Sequence, residues 1–119
     1  MALLAASCNP EVPTATPDGA WRAFRKAVDR SNKIAAFALL SAGDQAALKA
    51  RAADAGDKLK PRDMLNVDRR NLPAWRDMRV EVQGERAVVI IVLDDDVEDR
   101  REAVYESGGW RVVLGISTP

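Results

Sequence analysis

The chain has 119 residues, of which 47% are hydrophobic and 30% are charged. This length and composition indicate one soluble domain and exclude collagen-like and low-complexity proteins. Lys and Arg equal Asp and Glu at 18 each, so the chain lacks the basic excess that nucleic-acid binding needs. Because there is one Cys and no His, imidazole catalysis and His/Cys zinc sites are excluded. We therefore expect no cofactor and no metal.

The N-terminal segment ends at the single cysteine, Cys8, in the sequence MALLAASC. It resembles the end of a bacterial lipoprotein signal peptide, in which small residues precede the cysteine that becomes lipidated. Residues 9–17 contain three prolines and predict an extended tether. The resemblance implies an envelope lipoprotein that meets the membrane only through a lipid on Cys8. The alternative is a soluble protein with an incidental thiol in a disordered tail.

The chain therefore divides into residues 1–15, the signal-peptide end and tether, and residues 16–119, a single domain. Thr16-Pro17-Asp18 predicts a helix start, because it places a hydroxyl cap, a proline and an acid in order. Apolar residues recur every three or four positions and extend this helix to about residue 31. Residues 34–40 favour a short helix, and a third helix is expected between Ser41 and Gly56. A last short turn is predicted at Pro61.

After Trp75, apolar and polar residues alternate with a period of two, which predicts the strands of an antiparallel sheet. Residues 78–82 alternate as a half-buried strand, and residues 87–93 are apolar on both faces, which indicates a covered central strand. The acidic residues 94–99 form the next connection and lead into a strand over 102–106.

The last two strands meet at Ser107-Gly108-Gly109, which predicts a hairpin turn with positive φ at both glycines. The final strand begins at Trp110, whose indole is expected to pack on the first helix near Phe24. Helices followed by strands predict an α+β fold, with the N-terminal helices packed on about four antiparallel strands.

Two segments resemble the nuclear transport factor 2-like superfamily, which includes small bacterial lipoproteins of unassigned role. They are TPDGAWRAF at residues 16–24 and YESGGWRV at residues 105–112. The resemblance implies a curved sheet whose concave face holds the helices, giving a cone-like roll. It also implies a pocket inside the cone and self-association through the open face of the sheet.

Enzymes of that superfamily use an Asp base or an Asp–His pair together with a Tyr or acidic oxyanion donor. This chain has only Tyr105, no His, and no carboxylate within an apolar stretch, so no catalytic residue can be carried over. We expect no enzymatic activity, and an isomerase or dehydratase is the remote alternative. The acids at 94–99 lack the spacing of a calcium loop and are expected to form a solvated hairpin tip.

Two binding functions remain. The favoured one is a protein-interaction module for another envelope protein or a second copy of the chain. Trp75 is the candidate contact, with a lid over the helix–sheet junction as its alternative role. The other function is binding of a small apolar ligand inside the cone. The candidate lining residues, which form an ordinary core if the cone is filled, are Trp21, Phe24, Phe37, Val89, Ile91 and Trp110.

Overall fold

The structure is a computed structural model that describes residues 13–56, 58–65 and 75–116. Within them, three helices precede four strands, which confirms the predicted α+β class. The helices are α1 (Pro17–Asp29), α2 (Lys33–Ala38) and α3 (Ala42–Asp54). The strands are β1 (Asp77–Gln83), β2 (Arg86–Val92), β3 (Glu98–Glu106) and β4 (Gly109–Val113). Short 3₁₀ turns lie at Pro13–Ala15 and Pro61–Met64. Cys8 and residues 9–12 of the predicted tether lie outside the described residues, whereas Pro13–Ala15 forms a 3₁₀ turn in place of the expected extended chain.

Helices α1 and α3 begin at the caps that the sequence predicts. The Thr16 hydroxyl accepts a hydrogen bond from the backbone N–H of Gly19 at 3.0 Å, and the Ser41 hydroxyl accepts one from Asp44 at 3.2 Å. The side chain of Asn32 caps α2 in the same way. Gly56, with φ of +78°, follows α3 as predicted, because a left-handed residue ends a helix most easily as glycine.

The four strands form an antiparallel meander in the order β1-β2-β3-β4, which does not close into a barrel. The third strand begins at Glu98, four residues before its predicted start. Pairing with β2 continues to the Val92–Glu98 register position, and the charged residues 98–101 are accommodated by ion pairs of Arg79 with Glu98 and Arg101 with Asp99. The prediction that residues 98 and 99 belong to the connection was therefore wrong.

The last hairpin turns at Ser107 and Gly108, whose φ values are +53° and +81°. Gly109 lies in β4, so the predicted positive φ at both glycines was wrong. Position 109 favours glycine for a different reason. A Cβ at this position would lie 2.9 Å from Oγ1 of Thr14 in the first 3₁₀ turn. Close approach of the Thr14 side chain, rather than turn geometry, favours glycine there.

The outer edge of β4 is covered by the connection between α2 and α3. The N–H of Ser41 donates to the carbonyl of Val112, and the N–H of Val112 donates to the carbonyl of Leu39, both at 2.9 Å. Leu40 thereby forms a parallel bridge with Val112. This pairing satisfies backbone groups that an edge strand otherwise leaves open.

The core lies between the helices and one face of the sheet. Helix α1 packs across all four strands, most extensively against β4. Trp110 belongs to the same buried cluster as Phe24, which confirms that the last strand packs on the first helix. We call the face that packs on the helices the helix face, and the opposite one the open face.

Candidate interaction surface

The six residues considered for a ligand cavity lie at the core of the domain or at its edge. Trp21 and Phe24 are fully buried and contact each other edge to face, with ring centroids 5.8 Å apart. Val89, Ile91 and Trp110 are also buried, whereas Phe37 is half-buried beside them. The indole N–H of Trp21 donates to the carbonyl of Glu102 at 3.0 Å, which fixes α1 on β3. All six residues therefore belong to the buried hydrophobic cluster or pack against it.

Trp75 is half-buried and packs against the edge of the core. The guanidinium of Arg25 on α1 lies 4.9 Å from the centre of its ring, within the range of a cation–π interaction. The indole thus covers the junction between α1 and the start of β1. Two roles were considered for Trp75, a contact with a partner and a lid over the helix–sheet junction. Its position is compatible with the second role.

A buried carboxylate, Asp44, was missed in the sequence. It is 3% exposed, and its two oxygens accept hydrogen bonds from the N–H groups of Leu114 at 2.6 Å and Ile116 at 2.9 Å. Its burial has a tertiary cause, because the fold brings the residues that follow β4 onto the start of α3. Its neighbours along the chain, Gly43 and Gln45, give no sign of this burial.

The open face carries an ordered pattern of charge. Strand residues that pack with the helices all lie on the helix face. Directly paired residues of antiparallel strands share a face, so the register arranges the open face in rows across the strands. Row 1 is Asp77, Val92 and Glu98; row 2 is Arg79, Ile90 and Arg100; row 3 is Glu81, Val88, Glu102 and Val113; row 4 is Gln83, Arg86, Val104 and Arg111. Rows lie about 6.8 Å apart and alternate acid, base, acid, base.

Ion pairs join neighbouring rows across the central strand. Arg79 pairs with Glu98 at 3.0 Å, and Arg86 with Glu102 at 3.8 Å. Ile90, although it lies on the open face, is fully buried between the two arginines of row 2. Long arginine stems cover apolar surface while their guanidinium groups remain in water. The prediction of a central strand covered on both faces is confirmed.

The acidic connection between β2 and β3 is exposed and partly paired. Asp96 forms an ion pair with Arg76. Just beyond the connection, Asp99 on β3 is half-buried, and its carboxylate accepts two hydrogen bonds from Arg101, at 2.9 and 2.7 Å. Within the residues that the structure describes, no group of three or more acidic, Cys or His residues could hold a metal ion.

Comparison with known proteins adds no further assignment. No family model matches the chain, and no curated protein or solved structure is significantly similar to it. The resemblance to the nuclear transport factor 2-like superfamily therefore stays a prediction. Among the described residues, no helix is long and apolar enough to cross a bilayer.

The charge pattern of the open face has a signal in the sequence. Residues 77–81 read DMRVE and residues 98–102 read EDRRE, so both place acid, arginine and acid at alternate positions. Side chains two residues apart share a face of a strand, which makes each segment a charge-alternating ladder. What the sequence could not provide is the register that aligns the two ladders on either side of β2.

Proposed function

We propose that this chain is a non-catalytic protein-interaction domain that self-associates through the open face of its sheet. Its buried carboxylate, Asp44, is occupied by two backbone N–H groups, so it is not free to act on a substrate. Tyr105 is exposed and packs its ring edge against Trp110. The observation that carries the proposal is the alternation of the four rows.

Four rows of alternating sign are complementary to themselves under one symmetry operation. A two-fold axis in the plane of the interface and perpendicular to the strands reverses the order of the rows. When the axis passes between rows 2 and 3, row 1 faces row 4 and row 2 faces row 3 of the second copy. Every acidic row then meets a basic row. A two-fold axis along β2 would instead place each row on itself, with Arg79 opposite Arg100 and Glu81 opposite Glu102, so like charges disfavour that direction of packing.

Individual contacts follow from the same operation. Arg79 meets Glu81 of the second copy, and Arg100 meets Glu102. At the centre, the half-buried Val88 of each copy lies opposite the position of Ile90, which Arg79 and Arg100 already cover. Sheets that pack face to face keep their strands within about 30° of alignment, which preserves this row-to-row correspondence over the short strands.

The size of the open face sets the expected affinity. Four strands at about 4.8 Å and seven residues at about 3.3 Å give a projected area of roughly 450 Å² for each copy. This lies at the small end of specific interfaces, where complexes are weak. Self-association should therefore be measured up to the highest soluble protein concentration, by sedimentation equilibrium.

Two fourfold variants with the same net charge separate row complementarity from general electrostatics. Exchanging the signs of rows 2 and 3 (R79E, E81R, R100E, E102R) gives the order acid, acid, base, base, which the same two-fold axis keeps complementary. Exchanging rows 3 and 4 (E81R, R86E, E102R, R111E) gives acid, base, base, acid, in which every row meets its own sign. The first variant should dimerise like the unmodified chain.

The second variant should dimerise at least about thirtyfold more weakly, if four exposed pairs change by ~0.5 kcal/mol each. Circular dichroism of both variants verifies that they fold. A dimer that survives equally in both variants, or a chain that stays monomeric throughout, would contradict self-association. A photo-cross-linker at Val88 that captures another host protein from living cells would then identify a different partner for the same face.

The proposal places the domain in the cell envelope, held by a lipid on Cys8. Its support is the resemblance of residues 1–8 to the end of a lipoprotein signal peptide. Mass spectrometry of the full-length gene product from host membranes should find Cys8 acylated. An unmodified Cys8 in the soluble fraction would contradict the anchor while leaving the self-association test unaffected.

A further inference from the structure

A shallow depression lies on the helical side of the domain, between α2, α3 and the 3₁₀ turn at Pro61–Met64. It has a volume of about 200 Å³ and is lined by Ile34, Phe37, Lys49, Lys60, Pro61 and Arg62. Three of these lining residues are apolar and three are cationic. Together with the chain neighbours Lys33, Lys58 and Leu59, these residues form what we call the lysine patch.

The patch exposes large aliphatic side chains. Ile34 is 64% exposed and Leu59 is 49% exposed. Each is next to lysine in the chain: Lys33 precedes Ile34, and Lys58 and Lys60 flank Leu59. An apolar tip between flexible lysines can enter a bilayer interface while the ammonium groups remain at the level of the phosphates.

The cations of the patch have no acidic partners in the part of the chain that the structure describes. The ion pairs found there all use arginine, at positions 22, 25, 76, 79, 86 and 101. None involves Lys33, Lys49, Lys58, Lys60 or Arg62. The nearby carboxylate of Asp63 accepts a hydrogen bond from the backbone N–H of Lys60.

The helical segment that carries the lysine patch also has a net positive charge, whereas the sheet segment has a net negative charge. Residues 17–65 contain ten basic and six acidic residues, whereas residues 75–116 contain six basic and ten acidic residues. All five lysines lie between residues 26 and 60. Lysine is a flexible point charge without the forked geometry that arginine presents to carboxylates, so this surface suits a diffuse array of phosphates better than one specific acidic peptide.

We infer that the lysine patch docks on the surface of an anionic phospholipid bilayer. The lysines lie over the lipid phosphates, and Ile34 and Leu59 insert between headgroups. The helices pack on one side of the sheet and the open face lies on the other, so docking leaves the open face accessible. This contact goes beyond the proposed self-association and does not depend on a lipid at Cys8.

Vesicle sedimentation tests the inference with the full chain carrying Cys8→Ser, so that no acyl chain contributes. The chain should bind vesicles of phosphatidylcholine mixed with phosphatidylglycerol, bind phosphatidylcholine alone much more weakly, and dissociate at high salt. The variant K49E/K60E should lose at least about fivefold in affinity for each lysine reversed. Its matched control is R22E/K26E, which makes the same charge change on α1 outside the depression.

The apolar contribution has its own pair of variants. Ile34→Ser should weaken binding, whereas Val97→Ser, a similarly exposed residue in the connection before β3, should not. Equal binding to both kinds of vesicle, no binding at all, or equal losses in K49E/K60E and R22E/K26E would overturn the inference. Absence of vesicle binding together with capture of an acidic protein by a cross-linker at Ile34 would reassign the patch to that partner. Self-association is measured without vesicles, so the two proposals fail independently.

Discussion

Asp44 should be the most sensitive polar position of the domain. Its carboxylate is buried and accepts hydrogen bonds from the N–H groups of Leu114 and Ile116, beyond the end of β4. Gly115, with φ of +73°, turns the chain between these two donors. The single side chain therefore joins the N-terminus of α3 to the last described residues of the sheet. Truncation to alanine removes this link and leaves two N–H groups without an acceptor.

The expected loss follows from the number and kind of these bonds. Hydrogen bonds to a charged group contribute about 1.5–3 kcal/mol each, and an acid in the first turn of a helix adds ~0.3–1 kcal/mol. Leu114 and Ile116 are only half-buried, so water can replace part of the hydrogen bonding that their N–H groups lose. We therefore expect Asp44→Ala to lower the free energy of unfolding by about 3 kcal/mol. Asp44→Asn keeps one acceptor oxygen and should cost about 2 kcal/mol. Domains of this kind have only about 5–15 kcal/mol of stability in total.

Urea unfolding followed by tryptophan fluorescence measures these losses, with an unchanged m value as the sign that the unfolding reaction is the same. The control is Asp54→Asn, the same substitution on an exposed residue of the same helix, which should change stability by less than about 0.5 kcal/mol. Amide hydrogen exchange at Leu114 and Ile116 should accelerate in Asp44→Asn. A cost below ~1 kcal/mol for Asp44→Ala, or unchanged exchange at both amides, would refute the anchoring role.

Two further substitutions test the packing around α1. Gly19→Ala should destabilise the domain, because its Cβ would collide with a carbonyl of the 3₁₀ turn at Pro13–Ala15, whereas Gly43→Ala, in open space, should stabilise it by up to about 1 kcal/mol. If thermal melting showed that Gly19→Ala stabilises the domain as much as Gly43→Ala does, the close contact between position 19 and the 3₁₀ turn would be contradicted. Trp21→Phe removes the hydrogen bond to the Glu102 carbonyl and leaves a cavity, so urea unfolding should show a loss of about 2–3 kcal/mol. A loss below ~1 kcal/mol would contradict this expectation, because it would mean that water takes over the hydrogen bond and that a shift of α1 fills the cavity.

The helical half could be predicted closely because its boundaries are encoded locally. Thr16, Asn32 and Ser41 each satisfy N–H groups within three residues, and Gly56 ends α3 through its own backbone preference. Such signals do not depend on tertiary contacts. The same holds for the strand alternation from residue 77 onward, because its period of two identifies the side chains that form the helix face.

Misses arose where the deciding partner is distant in the chain. The burial of Asp44 depends on residues about seventy positions later, and the early start of β3 depends on Arg79 and the register of β2. Gly109 was assigned to the turn because its contact with Thr14 cannot be inferred from the hairpin alone. The alternating charges were visible in each strand, but their alignment into rows required the pairing register.

The two proposed surfaces are compatible because they lie on opposite sides of the molecule, in halves of the chain whose net charges have opposite sign. Helix α2 and helix α3 contribute Ala36 and Leu48 to the core on the helix face, so the lysine patch points away from the sheet. A negatively charged bilayer attracts the basic helical half and repels the acidic sheet half, and both forces orient the open face toward the aqueous side. Confinement to a surface also raises local concentration. At this higher local concentration, a dimer that is weak in solution can form. Membrane docking would therefore allow the small open face to mediate self-association.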